Sequence, residues 1–318
     1  MSRISRYHDS ISKFIRNKSN LIDTNSEIHK YKILNIITNF DYISSILLLT
    51  ILNTQAKRNN ITVHGYYMAA GINFMMIIVK LLDNADKYEA LYNHSTITIL
   101  INELLLLINM CLAYNIESIE PHYNSDKLIK IYHKSMKLLN NKLQYIAKKE
   151  DIIIENYITN NDIITHNFNN IQDIRNKLIK IKKVEENSLH LFTIHKYGQL
   201  CQIALYLGWM LGGGQDKNIN YLDKVGTYIG MMIKITSDFI NMEANIYETL
   251  EYSNNYIVNY GIQYGFELFM TNKEKFIYGC IKLNIYTNTI KELIDILEDK
   301  IDEVIKNTNI DLNNNHII

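Results

Sequence analysis

Apolar residues recur at the three-and-four spacing of an α-helix along almost the whole chain from residue 33 onward. The pattern predicts helices over residues 33–52, 66–82, 97–114, 127–147, 171–181, 188–211, 221–241, 247–270, 273–283 and 289–305. Polar or glycine-bearing breaks at 57–60, 83–93, 120–126, 160–161, 212–220 and 284–287 predict the connections. Long helices joined by short loops, without coiled-coil heptads or a fixed repeat, predict an all-α bundle of about ten helices. Gly212-Gly213-Gly214 reads as a helix stop, because glycine accepts the left-handed cap at little cost. No strand precedes that run and no Gly-Lys-Ser or Gly-Lys-Thr follows it, so it is not a phosphate loop.

Composition agrees with the periodicity. The 318 residues are 47% hydrophobic, enough for a large core, and a single proline with 12 glycines argues against a sandwich or barrel. Lys+Arg and Asp+Glu both number 33, so net charge gives no reason to expect nucleic acid. No apolar run reaches the 18 residues of a bilayer span, and no transmembrane segment is expected. Cys111, Cys201 and Cys280 stand singly in apolar stripes and read as buried, reduced thiols.

Residues 1–20 stand apart, with Arg3, Arg6, Lys13, Arg16 and Lys18 against Asp9 alone. Ile4, Ile11, Phe14 and Ile15 can share one helical face. Two readings are open: a mitochondrial presequence, or a basic surface helix or tail. The expected organisation is therefore this segment, an all-α domain over residues 21–306, and a flexible Asn-rich tail over 307–318.

The candidate chemistry lies in three segments. Residues 68–115 contain Leu82, Asp83, Asn84, Ala85 and Asp86, followed by Asn102-Glu103. Residues 191–211 contain Lys196, Tyr197 and Leu200. Residues 221–243 contain Ile233, Lys234, Ser237, Asp238 and Asn241. In order and spacing these resemble the trans-polyprenyl diphosphate synthase family: the first DDxxD motif with its following Gly-Asp pair, the Lys-Thr helix, and FQxxDDxxD. Residues 261–270 are similar to the family's Thr-Leu-Pro segment. The resemblance runs from about residue 39 to about residue 307.

That resemblance implies an isoprenoid-synthase fold, but the motifs are degenerate. Ionising an allylic diphosphate calls for several Mg²⁺ ions held between two carboxylate clusters. Here the first motif keeps Asp83 and Asp86 with Leu82 in place of an acid, and the second keeps only Asp238. Gln55-Ala56-Lys57-Arg58 lacks the flanking Gly-Gly and Arg-Pro of the diphosphate-gripping element and reads as a solvated loop. The string Lys234-Ile235-Thr236-Ser237-Asp238 resembles the non-catalytic second subunit of decaprenyl or solanesyl diphosphate synthase.

The implied function is a stabilising subunit in a heterodimer or heterotetramer with a catalytic polyprenyl diphosphate synthase chain, making the isoprenoid side chain of ubiquinone. Mg²⁺ would be bound by that partner, and no cofactor or metal by this chain. The implied partner face is residues 97–112. Two uses are open to Lys196 and Lys234, both of which interrupt apolar stripes: residual diphosphate binding, or ion pairs that plug the old cavity. The alternatives are a divergent active synthase using Asp83, Asp86 and Asp238, or a protein that holds an isoprenoid chain or other lipid.

Overall fold

The computed structural model describes residues 2–17, 42–83, 93–146, 158–163, 181–248 and 251–307. The elements in chain order are α1 (Arg3–Asn17), α2 (Ile43–Asn59), α3 (Tyr66–Asp83), α4 (His94–Ile119) and α5 (Ser125–Ile146). Then come strands β1 (Ile158–Ile163) and β2 (Lys182–Val184), α6 (Glu186–Thr193), a π-helical turn (Ile194–Gly198) and α7 (Gln199–Leu211). The chain continues through α8 (Ile219–Ile240), α9 (Met242–Glu248), α10 (Tyr256–Tyr260), α11 (Ile262–Lys282) and α12 (Asn288–Asn307). The fold is all-α, with β1 and β2 forming one small antiparallel ribbon.

The centre of the bundle is α7, buried along its whole length between α2 and α8. Glycine permits that approach. A Cβ on Gly208 would lie 2.6 Å from the Leu48 carbonyl oxygen of α2. The helix ends as its sequence predicts: Gly213 adopts φ 84° and the amides of Gly212, Gly213 and Gly214 return to Gly208, Met210 and Trp209 carbonyls. Around this centre α3 packs on α4, and α8 on α11 and α12.

Two predicted boundaries differ. The stripes at 247–270 and 273–283 are not two helices divided near residue 271. Residues 251–255 are not helical, a further break falls at Gly261, whose φ of 88° stops α10, and α11 then runs unbroken to Lys282. Buried Asn272 stays inside that helix because its side-chain amide donates back to the Leu268 carbonyl (2.8 Å). The helix predicted at 171–181 lies, apart from Ile181, outside the described residues, as does most of the tail at 307–318. Gln55-Ala56-Lys57-Arg58 is the last turn of α2 and not a loop: Gln55 and Ala56 are buried, and Arg58 donates to the Leu283 and Asn284 carbonyls beyond α11.

The basic N-terminal segment is a helix built into the core. Ile11 and Ile15 are fully buried, and α1 packs on α2, α3 and α12. Burying one such side chain is worth about 1.5–3 kcal/mol. The Arg3 and Ile4 amides, orphans of the first turn, donate to the Glu292 carboxylate of α12 (both 3.2 Å). Burial alone would raise the Glu292 carboxyl. Hydrogen bonds from Ser2, Ile4 and Arg3, with the Arg3 charge, outweigh that and hold it below the ordinary glutamate range. A lowered carboxyl contributes stability above its unfolded value near pH 4.5, lost as pH falls through the folded value. Protection of the α1 amides from hydrogen exchange is therefore expected to fall below pH 4.5 before the core of α7 opens, and Glu292→Gln should lose that pH dependence.

The three cysteines are free and buried. Burial pushes the Cys111 and Cys201 thiols up to about 12, against small opposing effects of the Gly71 amide and the Ser44 hydroxyl, and raises Cys280 as well. Thiolate is the reactive species. A thiol reagent at pH 8 is expected to modify none of them in the folded protein and all three once denaturant unfolds it.

Among the described residues one helix, from His94 to His122, is long and apolar enough to cross a membrane, with a mean hydropathy of 2.0 over its most apolar stretch. The helix packs on α3, and Leu100, Leu104, Leu107, Ile108, Cys111 and Leu112 are buried. Its outer side carries Ile99, Leu106 and Met110, with Leu106 65% exposed.

Candidate functional site

The second-motif helix α8 meets the π-helical turn at a glycine crossing. A Cβ on Gly230 would lie 2.7 Å from both Cα and N of Gly198. This contact fixes Lys234, one turn further along α8, beside Phe192 and Tyr197, whose ring centroids lie 5.7 and 5.9 Å from Nζ.

Lys234 and Asp238 are four apart on α8 and form a direct ion pair, Nζ to Oδ1, with side chains only 4% and 3% exposed. The second carboxylate oxygen, Oδ2, accepts the Tyr256 amide (2.9 Å). Asn254 Oδ1 lies 3.5 Å from Nζ. Both oxygens of Asp238 are thus committed to the protein itself. Burial pushes the Asp238 carboxyl up, against the lowering influence of the Lys234 charge and hydrogen bond and of the Tyr256 amide.

Three residues that the motif pattern does not mark hold this arrangement. Asn255 caps α10, its Oδ1 accepting from the Ile257 (2.8 Å) and Val258 (3.1 Å) amides. Its Nδ2 donates to the Asp238 carbonyl and to Asn245 Oδ1, both at 2.9 Å. Asn259 donates to the Ser253 and Asn255 carbonyls and accepts the Val184 amide of β2 (2.9 Å). Tyr256 supplies the amide to Asp238. The one legible signal was Asn255 immediately before the apolar Tyr-Ile-Val run, an N-cap signature.

The remaining predicted residues are placed as follows. Ser237 is half-buried and Asn241 exposed, and Asn241 Nδ2 donates to the Ser237 carbonyl (2.9 Å) and hydroxyl (3.2 Å). Lys196 is buried in the π-helical turn and its Nζ donates to the Ile146 carbonyl at the end of α5 (3.2 Å), where a cation suits both the orphan carbonyl and the helix dipole. Leu82 is half-buried against the core. Asp83 is the last residue of α3, but its side chain, like Asp86, lies outside the described residues.

Mg²⁺ prefers octahedral oxygen ligands with exposed carboxylates. Asp238 is buried with both oxygens bonded, and Asn241 is turned onto Ser237, so the described residues of the second motif do not fit that ion. Among the described residues no group of three acids, histidines or cysteines is placed to hold a metal.

The fold is similar to that of solved prenyl diphosphate synthase structures. Solved structures with the same fold include a geranyltransferase from Helicobacter pylori complexed with magnesium and isoprenyl diphosphate. It is 12% identical, with 95% of this chain and 99% of that chain covered and a TM-score of 0.60. A geranyltransferase from Legionella pneumophila is 11% identical over 94% and 97% of the two chains, TM-score 0.60. An FPP/GFPP synthase from Zymomonas mobilis is 9% identical over 92% and 97%, TM-score 0.60. No family model matches the chain, and no curated protein does.

Proposed function

We propose that this chain is the non-catalytic, stabilising subunit of a heteromeric trans-polyprenyl diphosphate synthase. The observation that carries this reading is the state of Asp238: the one acid left in the second motif is buried and spent on Lys234 and on the Tyr256 amide. A carboxylate so placed serves the fold. The end-to-end likeness to prenyl synthases and the Lys-Ile-Thr-Ser-Asp string support the same reading, with an isoprenoid diphosphate of the ubiquinone side-chain type as the product and the mitochondrion as the compartment. Mg²⁺ and the diphosphates would be bound by the catalytic partner.

The partner would cover the outer face of α4. Ile99, Leu106 and Met110 are exposed there on a helix whose inner face is already core. Obligate interfaces are apolar, and such a face in water favours association. Co-expression with a catalytic polyprenyl synthase chain is expected to give a co-purifying complex that makes polyprenyl diphosphate, where neither chain alone does so efficiently. Leu106→Glu should abolish the complex and leave the melting temperature of this chain within about 2 °C. Mg²⁺-dependent turnover of an allylic diphosphate with isopentenyl diphosphate by this chain alone would instead establish a divergent synthase.

A further inference from the structure

The exposed face of α1 carries a second feature, remote from the Lys234–Asp238 pair. Arg3, Arg6, Ser10, Lys13 and Asn17 follow one another at spacings of three and four, so they form one stripe along the helix. Two clefts open beside that stripe. The first, about 320 Å³, is lined by Arg3, Arg6, Tyr7, Ser10, Tyr66 and Thr289. The second, about 380 Å³, shares Ser10 and Tyr66 with the first and adds Lys13, Phe14 and Asn17. Together they make one groove with two characters.

The first cleft presents two guanidinium groups and four hydroxyls. It collects donors and positive charge: Tyr7 and Ser10 lie on α1 itself, and Tyr66 and Thr289 on the opening turns of α3 and α12. Glu292 of α12 is held by the Arg3 and Ile4 amides and lies within the influence of the Arg3 charge, which leaves Arg6 as the cleft's second cation. Arg6 and Lys13 make no ion pair with any described residue. In the second cleft Phe14 stacks on Tyr66, centroids 5.7 Å apart, and gives an aromatic wall beyond the cations. In a chain of zero formal net charge, the stripe thus sets Arg6 and Lys13, which have no ion-pair partner among the described residues, next to an apolar surface.

We infer that this groove binds a phosphorylated amphiphile, its phosphoryl group in the cleft of Arg3 and Arg6 and its carbon body along Phe14 and Tyr66. Guanidinium groups and hydroxyls suit phosphoryl oxygens in geometry and charge. The phosphoryl group could belong to a soluble anion or to a lipid headgroup, and the test separates the two.

The full-length chain is titrated with inorganic pyrophosphate by calorimetry. In parallel it is floated with phosphatidylcholine vesicles with and without phosphatidic acid. Each assay uses wild type, the double variant Arg6→Ala/Lys13→Ala, and Arg16→Ala, which removes an exposed cation of the same helix that lines neither cleft. The expected result is binding weakened at least about 10-fold by the double variant and under 2-fold by Arg16→Ala. That pattern with pyrophosphate identifies a soluble phosphoryl site. The same pattern only with phosphatidic acid vesicles identifies a headgroup site. The inference is overturned if neither probe binds, or if Arg16→Ala costs as much as the double variant, which would reduce the effect to general attraction between a basic helix and anions. Circular dichroism on all variants confirms that the helix content is kept.

Discussion

Asp238→Ala is expected to destabilise the protein by about 3–5 kcal/mol, the loss incurred when one partner of a buried ion pair is removed. The substitution leaves the Lys234 side chain, 4% exposed, with Asn254 Oδ1 at 3.5 Å in place of a carboxylate, and leaves the Tyr256 amide without the Asp238 oxygen. The double variant Lys234→Met/Asp238→Asn should recover most of that loss. It removes both charges and keeps a side-chain oxygen for the Tyr256 amide. Chemical denaturation of wild type, Lys234→Met, Asp238→Asn and the double variant closes a double-mutant cycle, and the coupling between the two positions should exceed about 1 kcal/mol.

A functional metal ligand behaves in the opposite way, since removing it relieves repulsion among clustered acids and commonly leaves stability unchanged or higher. Acidification is not a substitute for the mutation. Burial raises the Asp238 carboxyl, so the pH-linked part of its contribution is greatest below the unfolded value near pH 3.8 and declines as pH rises through the folded value, separately from the loss when the whole side chain is removed. Acid lability should therefore come from Glu292 and its hold on α1, where the shift has the other sign.

Gly230→Ala should cost about 3 kcal/mol, at the upper end for overpacking, because the added methyl meets backbone atoms of Gly198 and Tyr197 at 2.7–2.8 Å. A flexible side chain could swing aside there, but the backbone of a π-helical turn that leads directly into the fully buried α7 cannot. The strain would separate α8 from the turn that carries Lys196 and Tyr197. The Lys196 bond to the end of α5 should then weaken with it, and hydrogen exchange at Ile194–Gly198 would report the loosening. A cost below about 1 kcal/mol would mean that this crossing is softer than its geometry.

Much of this arrangement could be read from the pattern of the sequence. The stripes at 66–82, 97–114 and 221–241 became α3, α4 and α8 to within a few residues, because each is a long, uninterrupted periodicity with a burial demand on one face. The triple glycine ended α7 as its backbone freedom requires. The division of 247–283 was not legible. Asn272 looks like a breaker but pays its own hydrogen bond within the helix, whereas Gly261 looks like any helical glycine and is the stop.

In the site, Lys234 and Asp238 could be paired from their i, i+4 spacing alone, since the interaction is local. The partner of Lys196 could not. Ile146 is 50 residues away and presents only a backbone carbonyl, which no side-chain pattern announces. Asn259 was hidden for a different reason: in a chain this rich in asparagine it looks like the others, whereas Asn255 at least stands where an N-cap is expected.

The most direct test of the account is the activity of the co-expressed complex carrying Lys234→Met/Asp238→Asn in this chain. If Asp238 does no chemistry, the complex assembles and its kcat for chain elongation stays within about 2-fold of wild type, since no transition-state interaction has been removed. An intact complex whose kcat falls by 100-fold or more would show that the last acid of the second motif takes part in the reaction, and the chain would have to be read as an enzyme.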